Sequence, residues 1–137
     1  MLEENNIDVK IEMPDEVMVY ADEFYIEQVV TNYVTNAIKH AKEIFNEKYI
    51  KGTIEKRKRK DKVRISVFNT GDNIEEENLQ RIWRRFYKVD SSRNRANGGT
   101  GIGLSLVKAI MNNYNNDFGV RNKDTGVEFY FDLDIGK

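Results

Sequence analysis

The amino-acid sequence predicts one α/β layer domain. Segments of period-two alternation and segments with apolar residues at helical spacing follow one another along the chain, and no internal repeat or linker separates them. At 137 residues the chain is about one domain, long enough to bury a core. A hydrophobic fraction of 39% against a charged fraction of 33% fits a well-solvated globule, and one proline beside seven Tyr and seven Phe argues against disorder. The formal net charge of −1 gives no field toward nucleic acid or membrane. The absence of cysteine excludes disulfides and thiolate chemistry. No apolar run reaches membrane-spanning length, and the start MLEENNIDVK lacks a signal peptide's apolar centre.

In chain order, Ile7, Val9, Ile11 and Met13 alternate with polar residues, and Val17 and Val19 follow Pro14, which predicts two short strands around a turn. Asp22 is placed to cap a helix running to about Ala41, because Ile26, Val29, Val30, Tyr33, Val34, Ala37, Ile38 and Ala41 form one apolar stripe. Strands are predicted near Gly52 to Lys56 and Val63 to Phe68, joined by the basic run KRKRK and Asp61. That run sits at a hairpin tip without interleaved aromatic residues, so it reads as a solvated turn rather than a nucleic-acid patch. Residues Glu75 to Tyr87 read as a helix, Asp90 to Gly99 as a polar loop and Leu104 to Tyr114 as a further helix. Strands near Phe118 to Asn122 and Val127 to Leu133 close the chain.

Four stretches carry candidate chemistry. On the long helix Asn32, Asn36 and His40 recur every four residues with Lys39 beside them, so all four occupy one helix edge. Asparagine is a mediocre helix former, and two inside a strong helix indicate that their amides are used. In FNTGDNI, Phe68 to Ile74, a strand ends in Asn69 and a glycine turn. In RIWRRFYKVD, Arg81 to Asp90, Ile82, Phe86 and Val89 form a helical face that Trp83 and Tyr87 widen. In NGGTGIGLSLVK, Asn97 to Lys108, four glycines precede an apolar helical pattern, which exposes backbone N–H groups suited to phosphate at a helix N-terminus.

Taken in order, TNYVTNAIKHA, NTGDNI, RIWRRFYKVD and NGGTGIGLSLVK closely resemble the N box, first glycine box, F box and second glycine box of the catalytic, ATP-binding domain of sensor histidine kinases. The resemblance runs from Ala21 to about Leu133, and NTG in place of DTG is shared with a subgroup resembling the vancomycin-response sensors. It implies the Bergerat fold, a two-layer sandwich of a mixed β-sheet with helices on one face. It also implies a site for Mg-ATP between helices and a glycine-rich lid, Ser91 to Gly99, mobile without ligand. Carried over residue by residue, Asn36 corresponds to the magnesium ligand, an amide oxygen suited to a hard cation, and Asn32, Asn36 and Lys39 to the catalytic set. ATP contacts are expected from these three, from His40, Asn69, Gly71 and Ile74, from Tyr87, Lys88 and Arg93, and from Gly99, Thr100, Gly101, Ile102, Gly103 and Leu104.

Asn32 separates two reaction types. Gyrase and Hsp90 types carry a glutamate here that activates water, whereas an amide cannot accept a proton as a general base, so the sequence favours transfer to a protein group over hydrolysis. Three positions depart from the family pattern. Asn69 replaces the aspartate that accepts from the adenine amino group, and the uncharged acceptor is weaker by on the order of 1 kcal/mol. Asn73 replaces a later glycine, and Val127 replaces a threonine hydroxyl near the pocket.

The resemblance therefore implies a protein-histidine kinase catalytic domain, residues 1–137, that transfers the γ-phosphoryl group of ATP in two-component signalling. His40 belongs to the N box, so the acceptor histidine is expected on a dimerising helical hairpin before residue 1. The implied partners are that hairpin and a downstream response regulator, not nucleic acid. The isolated domain is expected to be monomeric, and the parent a homodimer, membrane-anchored with this domain in the cytoplasm. Two alternatives stay open: another Bergerat-fold ATPase or anti-sigma serine kinase, and a catalytically inactive binding module motivated by Asn69 and Val127.

Overall fold

The computed structural model describes residues 7–12, 19–57, 61–85 and 103–135. Six strands form one mixed sheet: β1 (Asp8–Glu12), β2 (Val19–Tyr20), β3 (Tyr49–Arg57), β4 (Lys62–Thr70), β5 (Phe118–Lys123) and β6 (Gly126–Ile135). The order is β1-β3-β4-β6-β2, with β5 also on β6. Among the described strands β1 and β3 pair in parallel and the other pairs are antiparallel. Helices α1 (Glu23–His40) and α2 (Gly103–Tyr114) contribute Val29, Tyr33, Ala37, Val107, Ile110 and Met111 to the core cluster with Val63, Val67, Phe129, Phe131 and Leu133 of the central strands. The expected two-layer α/β sandwich is thus the observed architecture.

Helix α1 begins where its cap predicts: Asp22 Oδ1 accepts from Phe24 N at 2.9 Å. Its stripe is wide because Val29, Tyr33 and Ala37 are buried while Ile26, Val30, Val34 and Ile38 pack partly against them. Tyr33 lies under the helix as its largest fully buried side chain. Its hydroxyl donates to Tyr130 O at 3.0 Å, and burial pushes the phenol well above its ordinary pKa. Helix α2 runs antiparallel to α1, because Asp22 N donates to Tyr114 Oη at 2.8 Å near its end while Gly103 at its start lies against Asn32.

Period-two geometry divides the residues of β4 and β6 between the two faces. Val63, Ile65 and Val67 pair with Leu133, Phe131 and Phe129 on the helix side, while Arg64, Ser66 and Phe68 pair with Asp132, Tyr130 and Glu128 on the other. There a buried, bidentate ion pair joins Arg64 Nε to Asp132 Oδ1 at 2.7 Å and Arg64 Nη2 to Asp132 Oδ2 at 3.1 Å. The hydrogen bond to Asp132 holds the guanidinium above its ordinary pKa. Tyr130 is stacked between Arg64 and Arg121, whose Cζ atoms lie 4.1 and 4.6 Å from its ring centroid.

The two short strands expected at the start are present, and they pair with distant partners: β1 joins β3 at one edge, and β2 takes Asp134 and Ile135 of β6, the part of that strand extending past β5. One expected element differs. The helix expected over Glu75 to Tyr87 is, within the described residues, two 3₁₀ turns, Glu76–Asn78 and Arg81–Trp83. Neighbouring Ile82 and Trp83 are both buried, with the Trp83 ring 5.0 Å from Phe118 and 5.8 Å from Phe129, so burial follows local anchoring rather than a continuous helical stripe. Of the basic run, Lys56 and Arg57 end β3, with Arg57 opposite Lys62 on β4; residues 58–60 are outside the described residues.

Candidate functional site

The polar edge of α1 borders the core. Asn32 and Asn36 are half-buried beside the stripe, and Lys39 and His40 in the last turn are exposed. Asn32 Nδ2 donates to Gln28 O at 2.8 Å, and its Oδ1 lies so near the start of α2 that a Cβ on Gly103 would sit 2.7 Å from it. Glycine at 103 therefore allows α2 to begin against α1. Leu104 follows, half-buried against the core.

The end of α1 meets the end of β4. Lys42 N donates to Thr70 O at 2.8 Å, and Gly71 has φ +152°, where any Cβ would lie 2.7 Å from His40 O. Beneath this turn Asn69 is 2% exposed. Its Nδ2 donates to Thr70 O at 3.0 Å, and Oδ1 receives no hydrogen bond from a described residue. Asn69 pairs with Val127 across the β4–β6 ladder, so two of the three departures from the family pattern are one cross-strand pair on the helix-facing side.

Residues 71–75 are tied to the β5–β6 turn. Gly71 N donates to Thr125 O at 3.0 Å. Asn73 Nδ2 donates to both Lys123 O and Gly126 O at 2.9 Å. Asn122 accepts from Ile74 N and donates to Ile74 O, each at 2.8 Å. An exposed ion pair, Lys42 Nζ to Asp72 Oδ2 at 2.5 Å, closes the side toward α1. The arrangement presents a buried amide acceptor under a stapled loop at one end and a polar helix edge facing the α2 N-terminus at the other. A neutral, planar hydrogen-bonding group and an anion are what such ends can hold.

Comparison with known proteins shows the family and the fold. Residues 21–137 match the family described as histidine kinase-, DNA gyrase B-, and HSP90-like ATPase. The chain belongs to this family. Within it, the chain is similar to sensor protein IrlS of Burkholderia pseudomallei, 36% identical over 116 residues covering 82% of this chain and 23% of IrlS. It is also similar to sensor histidine kinase YkoH of Bacillus subtilis, 37% identical over 120 residues covering 85% of this chain and 24% of YkoH. The chain thus spans about a quarter of the length of these curated relatives. The solved catalytic domain of histidine kinase ThkA superposes with a TM-score of 0.81 at 34% identity, covering 97% of this chain and 82% of that one. ThkA in complex with the response regulator protein TrrA superposes with a TM-score of 0.71 at 29% identity, covering 96% of this chain and 35% of that one.

As a domain of the sensor histidine kinase type, the chain has an ATP-binding fold, and its motif residues can be located in it. Asn32, Asn36, Lys39 and His40 share the α1 edge; Asn69, Gly71 and Ile74 form the loop side; Gly103 and Leu104 open α2. Tyr87, Lys88, Arg93, Gly99, Thr100, Gly101 and Ile102, with the expected lid, lie outside the described residues. No group of three or more His, Cys, Asp or Glu able to hold a metal occurs among the described residues. The half-buried Asn36 amide offers one oxygen of the kind a hard cation such as magnesium takes, so it would fit such an ion only as a companion of phosphate. The bonds of Asn122 and Asn73 to this loop are not legible in the sequence, where Asn73 stands only as a replaced glycine. The signal available was weak, since an asparagine at a strand end reads first as a turn former.

Proposed function

We propose that this domain binds Mg-ATP and transfers the γ-phosphoryl group to a histidine on a dimerising helical hairpin of the same sensor protein. The observation that carries the reading is the meeting of three motifs: the α1 edge, the Gly71 turn over buried Asn69, and the start of α2 against Asn32. Asn69 Oδ1 accepts from the adenine amino group while Nδ2 stays with Thr70 O. Asn36 holds magnesium, which when bound neutralises charge on the phosphate oxygens. Lys39, together with Lys88 and Arg93 as the family resemblance assigns them, supplies further positive charge. Backbone N–H groups at the start of α2 receive phosphate oxygens.

Phosphoryl transfer asks the protein for positioning and charge stabilisation rather than covalent chemistry. The imidazole nitrogen of the acceptor forms the N–P bond as the bond from γ-phosphorus to the β–γ bridging oxygen breaks, and ADP leaves with that electron pair. Water competes poorly, because Asn32 is a neutral amide whose nitrogen is committed to Gln28 O. ThkA has been solved with a response regulator, which supports a response regulator as the downstream acceptor here. No helix among the described residues is long and apolar enough to cross a membrane. The curated relatives are sensor proteins, which supports a cytoplasmic place for this domain in a membrane-anchored parent.

The test is radiolabelled ATP with the domain and its parent hairpin added in trans. Acid-labile label on the hairpin and very slow turnover by the domain alone are expected. Rapid turnover without the hairpin favours an ATPase, and acid-stable label favours a serine kinase.

A further inference from the structure

We propose that Asn122 and Asn73 are positioning residues for the nucleobase, holding the Gly71–Glu75 loop at one height above Asn69 and so setting the preference for adenine. This rests on the ATP reading above. Register places Asn69, Val127 and Asn122 in a single row across β4, β6 and β5, because Asn69 and Asn122 both pair with Val127. All three side chains therefore leave the sheet on the helix-facing side. Asn122 spends both amide atoms on one peptide, accepting from Ile74 N and donating to Ile74 O, each at 2.8 Å, across 48 positions of sequence. These bonds contribute nothing to the β5–β6 ladder, which is complete from Phe118 to Lys123 without them. What they fix is the distance from Ile74 to the row that contains Asn69.

Asn73 supplies the second anchor. Its amide donates to Lys123 O and Gly126 O, the two residues that flank the β5–β6 turn, while Gly71 N donates to Thr125 O within it. The loop is thus held at Gly71, Asn73 and Ile74 in turn. A glycine at 73 can make neither side-chain bond, so a base-side loop pinned by amides distinguishes this chain from the pattern it otherwise follows. The asparagine bonds are neutral and stand on the base side, which leaves the triphosphate to α1 and α2; the loop's ion pair, Lys42–Asp72, is exposed on the side toward α1.

Calorimetric affinities for ATP and GTP on the domain test this, with Asn122→Ala, Asn122→Asp and Asn73→Gly. Wild type is expected to prefer ATP. Each variant is expected to lose about tenfold in ATP affinity with GTP affinity nearly unchanged, because the lost hydrogen bonds orient the loop over the base rather than the phosphates. Asp132→Asn, in the buried ion pair on the face away from the helices, serves as comparator: it lowers the melting temperature and leaves the ATP:GTP ratio alone. If Asn122→Ala fails to fold, the other two variants read the same ratio. A ratio held within about twofold of wild type in the folded variants overturns the clamp while leaving ATP binding in place. A wild-type domain that prefers neither nucleotide overturns the clamp together with the placement of Asn69, and one that binds no ATP overturns the ATP reading itself.

Discussion

The two ends of the site are built by different means. At the proposed base end, Gly71, Asn73 and Ile74 are tied to β5 and the β5–β6 turn by neutral hydrogen bonds of 2.8–3.0 Å, and Asn69 is closed in beneath them. At the proposed phosphate end, Asn32 and Asn36 are half-buried and Lys39 and His40 exposed along one helix edge. On the ATP reading proposed above, the difference follows the ligand's chemistry. A neutral base is read by donors and acceptors that must already stand at hydrogen-bonding distance, whereas phosphate attracts cations and N–H groups over a Debye length of about 8 Å and tolerates adjustable side chains. Rigidity is concentrated where geometry alone recognises the ligand.

The largest expected effect breaks the rigid end. A Cβ on Gly126 would lie 1.9 Å from the Asn69 carbonyl oxygen, which is backbone on both sides, so Gly126→Ala is expected to destabilise the domain by roughly 3 kcal/mol and to abolish ATP binding. On β3, Gly52→Ala meets no atom within 4 Å and is expected to change stability by less than about 0.5 kcal/mol. Denaturant unfolding of both variants checks the contrast; equal effects would show the base end to be as yielding as β3.

At the other end, Asn36→Ala is expected to keep the fold and to lose about tenfold or more in Mg-ATP affinity, with the magnesium dependence lost too. Calorimetry with and without magnesium reads this. Unchanged affinity and unchanged magnesium dependence would remove Asn36 from the site.

The third prediction sharpens the account of the base end. By charge alone Asn69→Asp improves adenine recognition, but the buried carboxylate loses the Nδ2 donation to Thr70 O, faces that carbonyl, and has apolar Val127 opposite. Asn69→Asp is therefore expected to cost about 1–3 kcal/mol of stability, and Asn69→Asp with Val127→Thr to recover part of it through the added hydroxyl. A double-mutant cycle measures the coupling, expected near 1 kcal/mol; strict additivity would mean that the two departures are unrelated.

The smallest effect concerns Tyr33 in the core beneath α1. Burial raises the Tyr33 phenol, so its folded pKa lies above its unfolded value of about 10. The neutral phenol's contribution is then whole below about pH 10 and is lost as pH rises through the window above it, where the unfolded state ionises first. Tyr33→Phe is expected to cost about 1 kcal/mol at neutral pH, for the bond to Tyr130 O, and to flatten the alkaline decline. Unfolding curves from neutral pH to pH 11 distinguish the two forms, and equal slopes would take Tyr33 out of the alkaline dependence.

Local pattern and residue chemistry determined much of this protein. The α1 stripe, its Asp22 cap, the start of α2 after the glycines and the alternation of β4 and β6 all depend on near neighbours, so they were legible from the sequence. The four motifs, read together, were enough to indicate the family and the residues of the α1 edge. The expectation of transfer over hydrolysis rests on Asn32 read through the family resemblance, since an amide is no general base in any fold. Tertiary structure alone decided what depends on distant partners. It sent β1 and β2 to opposite edges, because open ladder positions lay on β3 and β6 rather than between them. It broke the expected helix after Glu75 into 3₁₀ turns so that Ile82 and Trp83 could both be buried. It set Asn69 opposite Val127 and placed Asn122 over Ile74. A side-chain amide carries no sign in sequence of which peptide it will meet, and only the register of three strands brings residues 48 positions apart within a hydrogen bond.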